Sequence, residues 1–357
     1  MLKYITKRVL WCIPVLLGAI LIVFAINRLV DSGDPVAAIL GGNYTQEQYD
    51  AKAEELGLDQ PFLVQFYNYI KNLVTKGDMG DSYVTKRPVS EEIRERFPVT
   101  FKLALVSIII AVVLGIPFGI ISATKQYSAA DYSVTTLSLI FAAMPGFWLA
   151  LMLVLLFSLR LKWFPASGLG GLKYWVLPAL ASGLSFVATI TRMTRSSMLD
   201  VIRQDYIRTA RAKGLSENKV ITGHALKNAL IPIITTIGFQ FGILVSGSVI
   251  VETIFSFPGL GTLMLTAITN RDYPVIQGCV IVLAALICII SLLVDLAYGF
   301  VDPRIMAQIT GGKKKKAKKI RGASPCRMSS RTRTSVSAAS GRTSGAGSVG
   351  TSWPWLA

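Results

Sequence analysis

Six stretches of this chain contain no charged residue and are each long enough to cross a bilayer as a helix. They run from Val9 to Asn27, Leu103 to Thr124, Tyr132 to Leu159, Tyr174 to Thr191, Asn228 to Val251 and Tyr273 to Val294, and hold 18 to 28 residues each. A helix needs about 20 residues to span roughly 30 Å of hydrocarbon. The expected fold is therefore an all-α polytopic membrane protein with six transmembrane helices. Composition agrees: of the 357 residues, 52% are hydrophobic and only 16% charged, where a soluble domain carries about 25%. A seventh uncharged window, Thr253 to Asn270, is interrupted by Pro258-Gly259-Leu260-Gly261 and rich in Thr, and reads as a broken or interfacial segment.

Orientation follows from the basic residues beside the spans, since cationic loops stay on the cytoplasmic side. Lys3, Lys7 and Arg8 precede the first span and place the N-terminus inside. With six spans the cytoplasmic segments are then the N-terminus, a short loop at Lys125, the Arg192 to Lys227 loop with its eight Lys and Arg, and the C-terminus. The alternative reading of the first apolar stretch, a cleaved signal peptide, lacks a small-residue cleavage site. The chain divides into residues 1–30 (N-terminus and first span), 31–100 (an extracytoplasmic helical domain), 101–304 (a five-helix core with a cytoplasmic loop at 192–228) and 305–357 (a basic tail).

In the extracytoplasmic segment, Thr45 and Gln48 form a capping box for a helix ending near Gly57. A second helix starts near Pro61 with Phe62, Phe66, Tyr69, Ile70 and Leu73 on one face. Gly77 to Asp81 reads as a turn, and Ser90 as the cap of a short helix ending at Pro98. Packing against the span ends and docking of a partner are both compatible with this domain.

The net charge of +17 does not indicate nucleic acid, because eleven Lys and Arg and no acid lie from Ile309 onward, leaving the rest only mildly basic. That tail, which opens on Lys313 to Lys316, is rich in Ser, Thr, Gly and Ala and cannot bury a core. Its basic start suits anionic membrane lipid; a solvated extension without function is the other reading. Cys12, Cys279 and Cys288 lie in apolar windows and Cys326 in the tail, with neither disulfide framework nor metal spacing.

Catalytic constellations are missing from the sequence. His224 is the single histidine, no phosphate-cradling glycine loop is present, and no cofactor or metal site is expected. An ion-coupled carrier would place ionisable groups in mid-membrane, whereas Glu252 and Asp295 bound their spans. An enzyme, a stand-alone channel and a secondary carrier are all disfavoured. The motive force is expected from another subunit.

Two places in the spans suggest movement. Met144-Pro145-Gly146 lies near the middle of the third span, where Pro removes a backbone hydrogen bond and kinks the helix. Phe257, Pro258, Gly259 and Gly261 form the other pathway or hinge candidate. The fourth span carries Pro178, Ala179, Ala181, Ser182, Gly183, Ser185 and Ala188, which suit either close helix packing or a pathway. In the long cytoplasmic loop, Met198 to Lys213 has helical spacing, with Leu199, Ile202, Tyr206, Ile207 and Ala210 on one side. Gly214 then ends that helix, and Ser216 opens another towards Pro232. A short amphipathic helix of this kind fits a groove on a cytoplasmic partner or the membrane interface.

The residues of this loop are also recognisable. Asp205-Tyr206-Ile207-Arg208-Thr209-Ala210-Arg211-Ala212-Lys213-Gly214-Leu215, followed by His224 to Pro232, resembles the EAA loop of binding-protein-dependent ABC importer permeases, in particular the dipeptide, oligopeptide and nickel branch. Gly57 to Pro61, Gly77 to Ser82, Trp163 to Gly168, Glu252 to Phe255, Phe257 to Gly261, Arg271 to Pro274 and Asp302 to Arg304 resemble that branch in the same order. The resemblance covers Met1 to about Gln308. It implies one of two homologous membrane subunits in the cell membrane, with two ATPase subunits beneath and an extracytoplasmic solute-binding protein above. It implies further that Arg208 to Leu215 form the helix that couples to the ATPases. Arg208 stands where the general pattern has glutamate, and Pro232 is displaced from its usual spacing. Short peptides are the expected cargo, with nickel or a nickel chelate as the alternative. The tail after Ile309 has no counterpart in the pattern, and is either natural sequence or the product of a reading-frame shift.

Overall fold

A computed structural model describes residues 2–29, 35–40, 44–55, 57 and 60–301, which are helical in architecture with a single isolated bridge, Asp81 to Pro88, and no strand among the described residues. The expected tail lies outside them. The helices are α1 (Leu2–Leu29), α2 (Pro35–Leu40), α3 (Gln46–Glu55), α4 (Phe62–Lys76), α5 (Val89–Thr124), α6 (Ala129–Ala143), α7 (Gly146–Leu153), α8 (Leu172–Ile202), α9 (Asp205–Ala212), α10 (Glu217–Lys219), α11 (Leu226–Gly247), α12 (Val249–Ile254), α13 (Leu260–Thr269) and α14 (Tyr273–Val301). Two π-helical turns, Val154–Arg160 and Val220–Ala225, continue α7 and lead into α11.

Five of these helices are long and apolar enough to cross a membrane, and the α6 and α7 pair makes a sixth if its two halves are one span. The six apolar windows are all occupied. The third differs in shape from a kinked rod, because α6 and the helix running Gly146–Arg160 meet at 100°. Pro145 lacks an N–H, and its ring pushes Met144 out of the helical region: Met144 sits at φ −78°, ψ 123° and Pro145 at φ −58°, ψ 136°. Gly146 has only Ser185 Oγ, at 4.0 Å, near the place a Cβ would take. Proline causes this corner.

The seventh window is broken. α12 ends at Ile254, Phe257 to Gly259 turn the chain, and α13 is too short to span. In the sequence Ser90 reads as a cap and Pro98 as a helix end, but α5 starts at Val89 and runs through Pro98 to Thr124. Pro98 and Arg94, whose carbonyl loses its partner, are both exposed, while Val89, Ile93, Thr100 and Leu103 bury a continuous face. The expected boundary at residue 100 thus falls within a helix. The capping box is present: Thr45 N–H donates to Gln48 Oε1 at 3.0 Å, and Gln48 N–H to Thr45 Oγ1 at 3.3 Å. Gly77, at φ 65°, closes α4.

The centre of the bundle is the crossing of α5 on α8. Ala104, Ile108 and Ala111 of α5 meet Val187 and Ile190 of α8, with Leu244, Val245, Leu286 and Ile290 closing the cluster from α11 and α14. The helices approach closely because glycine stands at the contacts. A Cβ on Gly183 would lie 2.7 Å from the Ser107 carbonyl oxygen, and one on Gly119 would lie 2.8 Å from the Thr191 carbonyl oxygen. Backbone cannot yield as a side-chain tip does. Gly183→Ala is therefore expected to cost about 1–3 kcal/mol and to lower the unfolding temperature of the detergent-solubilised chain. Gly171→Ala, with open space around it, should leave that temperature unchanged.

Candidate functional site

The loop between α8 and α11 presents a short helix on a seat. The expected single helix from Met198 to Lys213 is two helices: α8 carries Met198 and Leu199 to its end at Ile202, the chain turns at Arg203 and Gln204, and α9 begins at Asp205. Gln204 is extended, at φ −74°, ψ 148°, and its carbonyl accepts from Ile207 N–H at 3.0 Å. Ile207 and Ala210 are the inward side of α9. They pack with Ala123 of α5, Met198 of α8, Val220, Ile221 and Ala225 of the π-turn, and Ala229 and Ile233 of α11. A displacement of α9 therefore bears on α5, α8 and α11 together, because packed cores shift rather than compress.

The residues singled out in the sequence divide by face. Ala210 is buried, whereas Arg208, Thr209, Arg211, Ala212, Lys213, Gly214 and Leu215 are exposed. Arg208 lies 3.9 Å from Asp205, and Thr209 Oγ1 donates to the Asp205 carbonyl at 3.0 Å. Arg211 makes two bonds to Glu217, at 2.7 and 3.1 Å, and this hydrogen-bonded pairing raises the guanidinium above its ordinary value. Such an exposed pair adds little stability; its effect is to fix the turn between α9 and α10. Gly214 occupies φ 77° in that turn. Nothing lies within 4 Å of where its Cβ would be, so the demand on glycine here is conformational rather than steric.

The second candidate region, Phe257 to Gly261, is built around Glu252. This carboxyl group is fully buried. Its Oε1 accepts from the hydroxyls of Thr100 at 2.6 Å and Ser248 at 2.7 Å, and its Oε2 accepts from the Thr262 N–H at 3.0 Å. Thr100 Oγ1 in turn accepts from the Leu260 N–H at 2.8 Å. One side chain thus ties α5, α12 and the first turn of α13 together. Gly259 and Gly261 are required by that contact, since a Cβ on Gly259 would stand 2.4 Å from Glu252 Cδ and one on Gly261 would stand 2.8 Å from Oε2. Phe257 is buried edge-on to Trp175 of α8, with ring centroids 5.0 Å apart, and only Pro258 of this elbow is half-exposed. At the corner of α6 and α7, Pro145 and Gly146 are exposed and Met144 is half-buried.

Two further buried carboxylates close the ends of the bundle. Asp131, in the first turn of α6, accepts from Ser122 Oγ, from the Tyr127 N–H at 3.0 Å and from Arg195 Nη2 at 2.8 Å. It joins α5, α6 and α8 near the seat of α9. Asp272, just before α14, accepts from Ser82 Oγ and from the N–H groups of Tyr83 and Val84. Burial, with Asp272 and Tyr273 alongside, pushes the Tyr83 hydroxyl up to about 12. The sequence reading takes Glu252 as the edge of its span and does not single out Asp131 or Asp272, which stand beside uncharged windows. Their position was the available signal: each abuts an uncharged run and lies near hydroxyl residues able to satisfy it.

These features define a class, the multi-pass membrane permease with a loop helix seated across its spans. The chain belongs to the family described as the binding-protein-dependent transport system inner membrane component, whose profile matches residues 115–307, while the N-terminal profile of the same system matches residues 1–104. It is 42% identical over 316 residues to the oligopeptide transport system permease protein AppB of Bacillus subtilis, covering 85% of this chain and 99% of that one. It is 40% identical over 337 residues to the di/tripeptide transport system permease protein DppB of Pseudomonas aeruginosa, covering 86% and 100%. To the glutathione transport system permease protein GsiC of Salmonella choleraesuis it is 42% identical over 305 residues, covering 85% and 99%. Among solved structures, a chain of the inward-facing MetNI methionine ABC transporter matches with a TM-score of 0.52 at 18% identity, covering 59% of this chain and 96% of that one. At that identity the likeness concerns the fold. The chain is thus a membrane permease of the ABC importer type, and its relatives are transport subunits rather than catalytic enzymes.

Truncating Glu252 leaves one buried N–H and two hydroxyls without their acceptor. Glu252→Ala is expected to cost roughly 3 kcal/mol and to expose the segment from Phe257 to Leu260 to proteolysis. Glu252→Gln keeps one oxygen for the Thr262 N–H and should cost clearly less. Equal protease sensitivity in the two variants would count against the hydrogen-bonded hub.

Proposed function

We propose that the chain is one of two homologous permease subunits that carry short peptides into the cell, fed by an extracytoplasmic solute-binding protein and driven by two ATPase subunits. The seated α9 helix is the observation that carries this reading. Its inward residues, Ile207 and Ala210, engage three spans, while Arg208, Thr209, Arg211, Lys213 and Leu215 face outward for a partner. In this reading α9 lies on the cytoplasmic side, as the basic residues of its loop require, and the domain of α2 to α4 lies outside. Short peptides are favoured as cargo because the relatives named above transport oligopeptides, di- and tripeptides, and glutathione, itself a tripeptide.

The mechanism is alternating access. ATP closure of the partner subunits pushes α9. The push reaches α5, α8 and α11 through the cluster around Ile207, and the ionic contact of Arg195 with Asp131 carries it to α6. The corner at Met144 to Gly146 is where the path changes shape, and the elbow at Phe257 to Gly261, tied to α5 through Glu252, lines the path and moves with α5 as one piece. Only remote packing joins α9 to either place, so the coupling is mechanical, through rigid helices.

The test is reconstitution. With both permeases, the ATPases and the binding protein in vesicles, peptide uptake should require ATP and binding protein; accumulation by this chain alone would overturn the reading. Gly214→Trp should abolish most uptake while membrane insertion persists, because any side chain at φ 77° strains the turn by about 1–2 kcal/mol and a bulky one obstructs the outward face. Lys213→Glu, which leaves Gly214 in place and reverses an exposed charge on the outward face, should also weaken ATP-driven uptake. Wild-type uptake by both variants would remove α9 from the coupling role.

A further inference from the structure

Exposed apolar side chains on a membrane-spanning helix need no explanation, because lipid covers them; α4 is not a span, and it has two apolar faces. Phe62, Phe66 and Tyr69 point to Phe24 of α1, with ring centroids 5.3, 5.5 and 6.1 Å away. Leu63, Tyr67 and Val74 form a second stripe beside the first, at the i, i+4 and i+11 positions of the same helix. These three are 73%, 64% and 77% exposed. Asn68, Asn72 and Thr75 occupy the opposite face, and Lys71 and Lys76 flank the apolar arc.

The depth of α4 says what covers the second stripe. The membrane-spanning part of α1 ends at Asn27, and Phe24 is one helical turn inside that end. A helix that wraps its aromatic residues around Phe24 sits at the edge of the hydrocarbon, beside a span of which little is buried by the rest of the chain. Tyrosine with lysine at the rim of an apolar face is the composition of a helix lying in the interface, where lysine stems reach along the apolar surface and their ammonium groups meet phosphate.

We infer that α4 is an interfacial lipid-binding helix, seated in the leaflet opposite the α9 loop, with Leu63, Tyr67 and Val74 among the acyl chains and Lys71 and Lys76 at the phospholipid phosphates. It anchors α1 and the segment after it at a fixed depth. This inference rests on the proposed topology, in which α1, α5, the α6 and α7 pair and α8 each span the membrane, and does not depend on the cargo or on the coupling role of α9.

The experiment uses nitroxide labels on the full chain, with its native cysteines replaced by serine, reconstituted in vesicles of phosphatidylethanolamine and phosphatidylglycerol. Labels are placed singly at Leu63→Cys, Tyr67→Cys and Val74→Cys, and for comparison at Asn72→Cys and Thr75→Cys. Collisions with dissolved oxygen, which concentrates in lipid, are measured against collisions with a water-soluble nickel chelate. The oxygen-to-nickel ratio should be several-fold higher at the first three positions than at the last two. Easy access of nickel to positions 63, 67 and 74 would show a water-facing stripe and overturn the inference. Shielding from both reagents would show a protein partner there and overturn it equally. Three reporter positions on one face keep the test decisive if one substitution perturbs the helix.

Discussion

The hydrogen bonding of Glu252 is the interaction on which the far end of the bundle depends. A bilayer offers no water to a broken helix, so each free N–H and hydroxyl at a break must find an acceptor within the protein. Between α12 and α13 the chain turns sharply, and the first turn of α13 exposes the N–H groups that every helix leaves unpaired. Glu252 supplies an acceptor for Thr262 directly, and Thr100 supplies one for Leu260. Gly259 and Gly261 have no side chains because the carboxyl group occupies that space. The short elbow and the long helix α5 are thereby held as one piece.

The same logic distributes the other breaks. The corner at Pro145 is made differently: proline brings no N–H to the break, and the Leu149 N–H returns to the Pro145 carbonyl at 3.0 Å. Asp131 satisfies the turn between α5 and α6 through Tyr127 and adds Arg195, so that a charge buried at one helix start is matched by a charge on the adjoining helix. Asp272 does for the strap at Ser82 to Val84 what Glu252 does for the elbow. Removing any of these carboxylates takes an acceptor away from buried donors, a cost that offsets the cost of keeping such groups in an apolar bundle.

Much of the architecture was legible in the sequence because charge-free length is a physical requirement for crossing hydrocarbon, and all six windows are occupied by helix. The break at Gly214 and the capping box at Thr45 were legible for a similar reason, as each rests on local backbone chemistry. Other features depended on distant partners. The separation of α8 from α9 at Gln204 has no glycine or proline to announce it, and the apolar period continues across it. The passage of α5 through Pro98 needs knowledge that Arg94 faces outward. Reading charges as window limits also hid the hub: Glu252 looked like a border, and Asp131 and Asp272 fell outside the windows, when burial by other helices makes all three centres.

The two ends of the molecule are consequently built on different principles. Around α9 the contact is apolar and continuous, from Ile207 through Met198 to Ala229 and Ile233, so that a push on one short helix is shared among three long ones without breaking a hydrogen bond. Around the elbow the contact is polar and discrete, with donors that are either paired with Glu252 or orphaned. A packed apolar seat passes a displacement on to its neighbours without breaking a hydrogen bond, whereas a buried carboxyl group holds until its donors move with it. In the proposed transport cycle the apolar seat is where force enters and the polar elbow keeps its shape and moves with α5, and the α5 and α8 crossing, closed by glycine, joins the two.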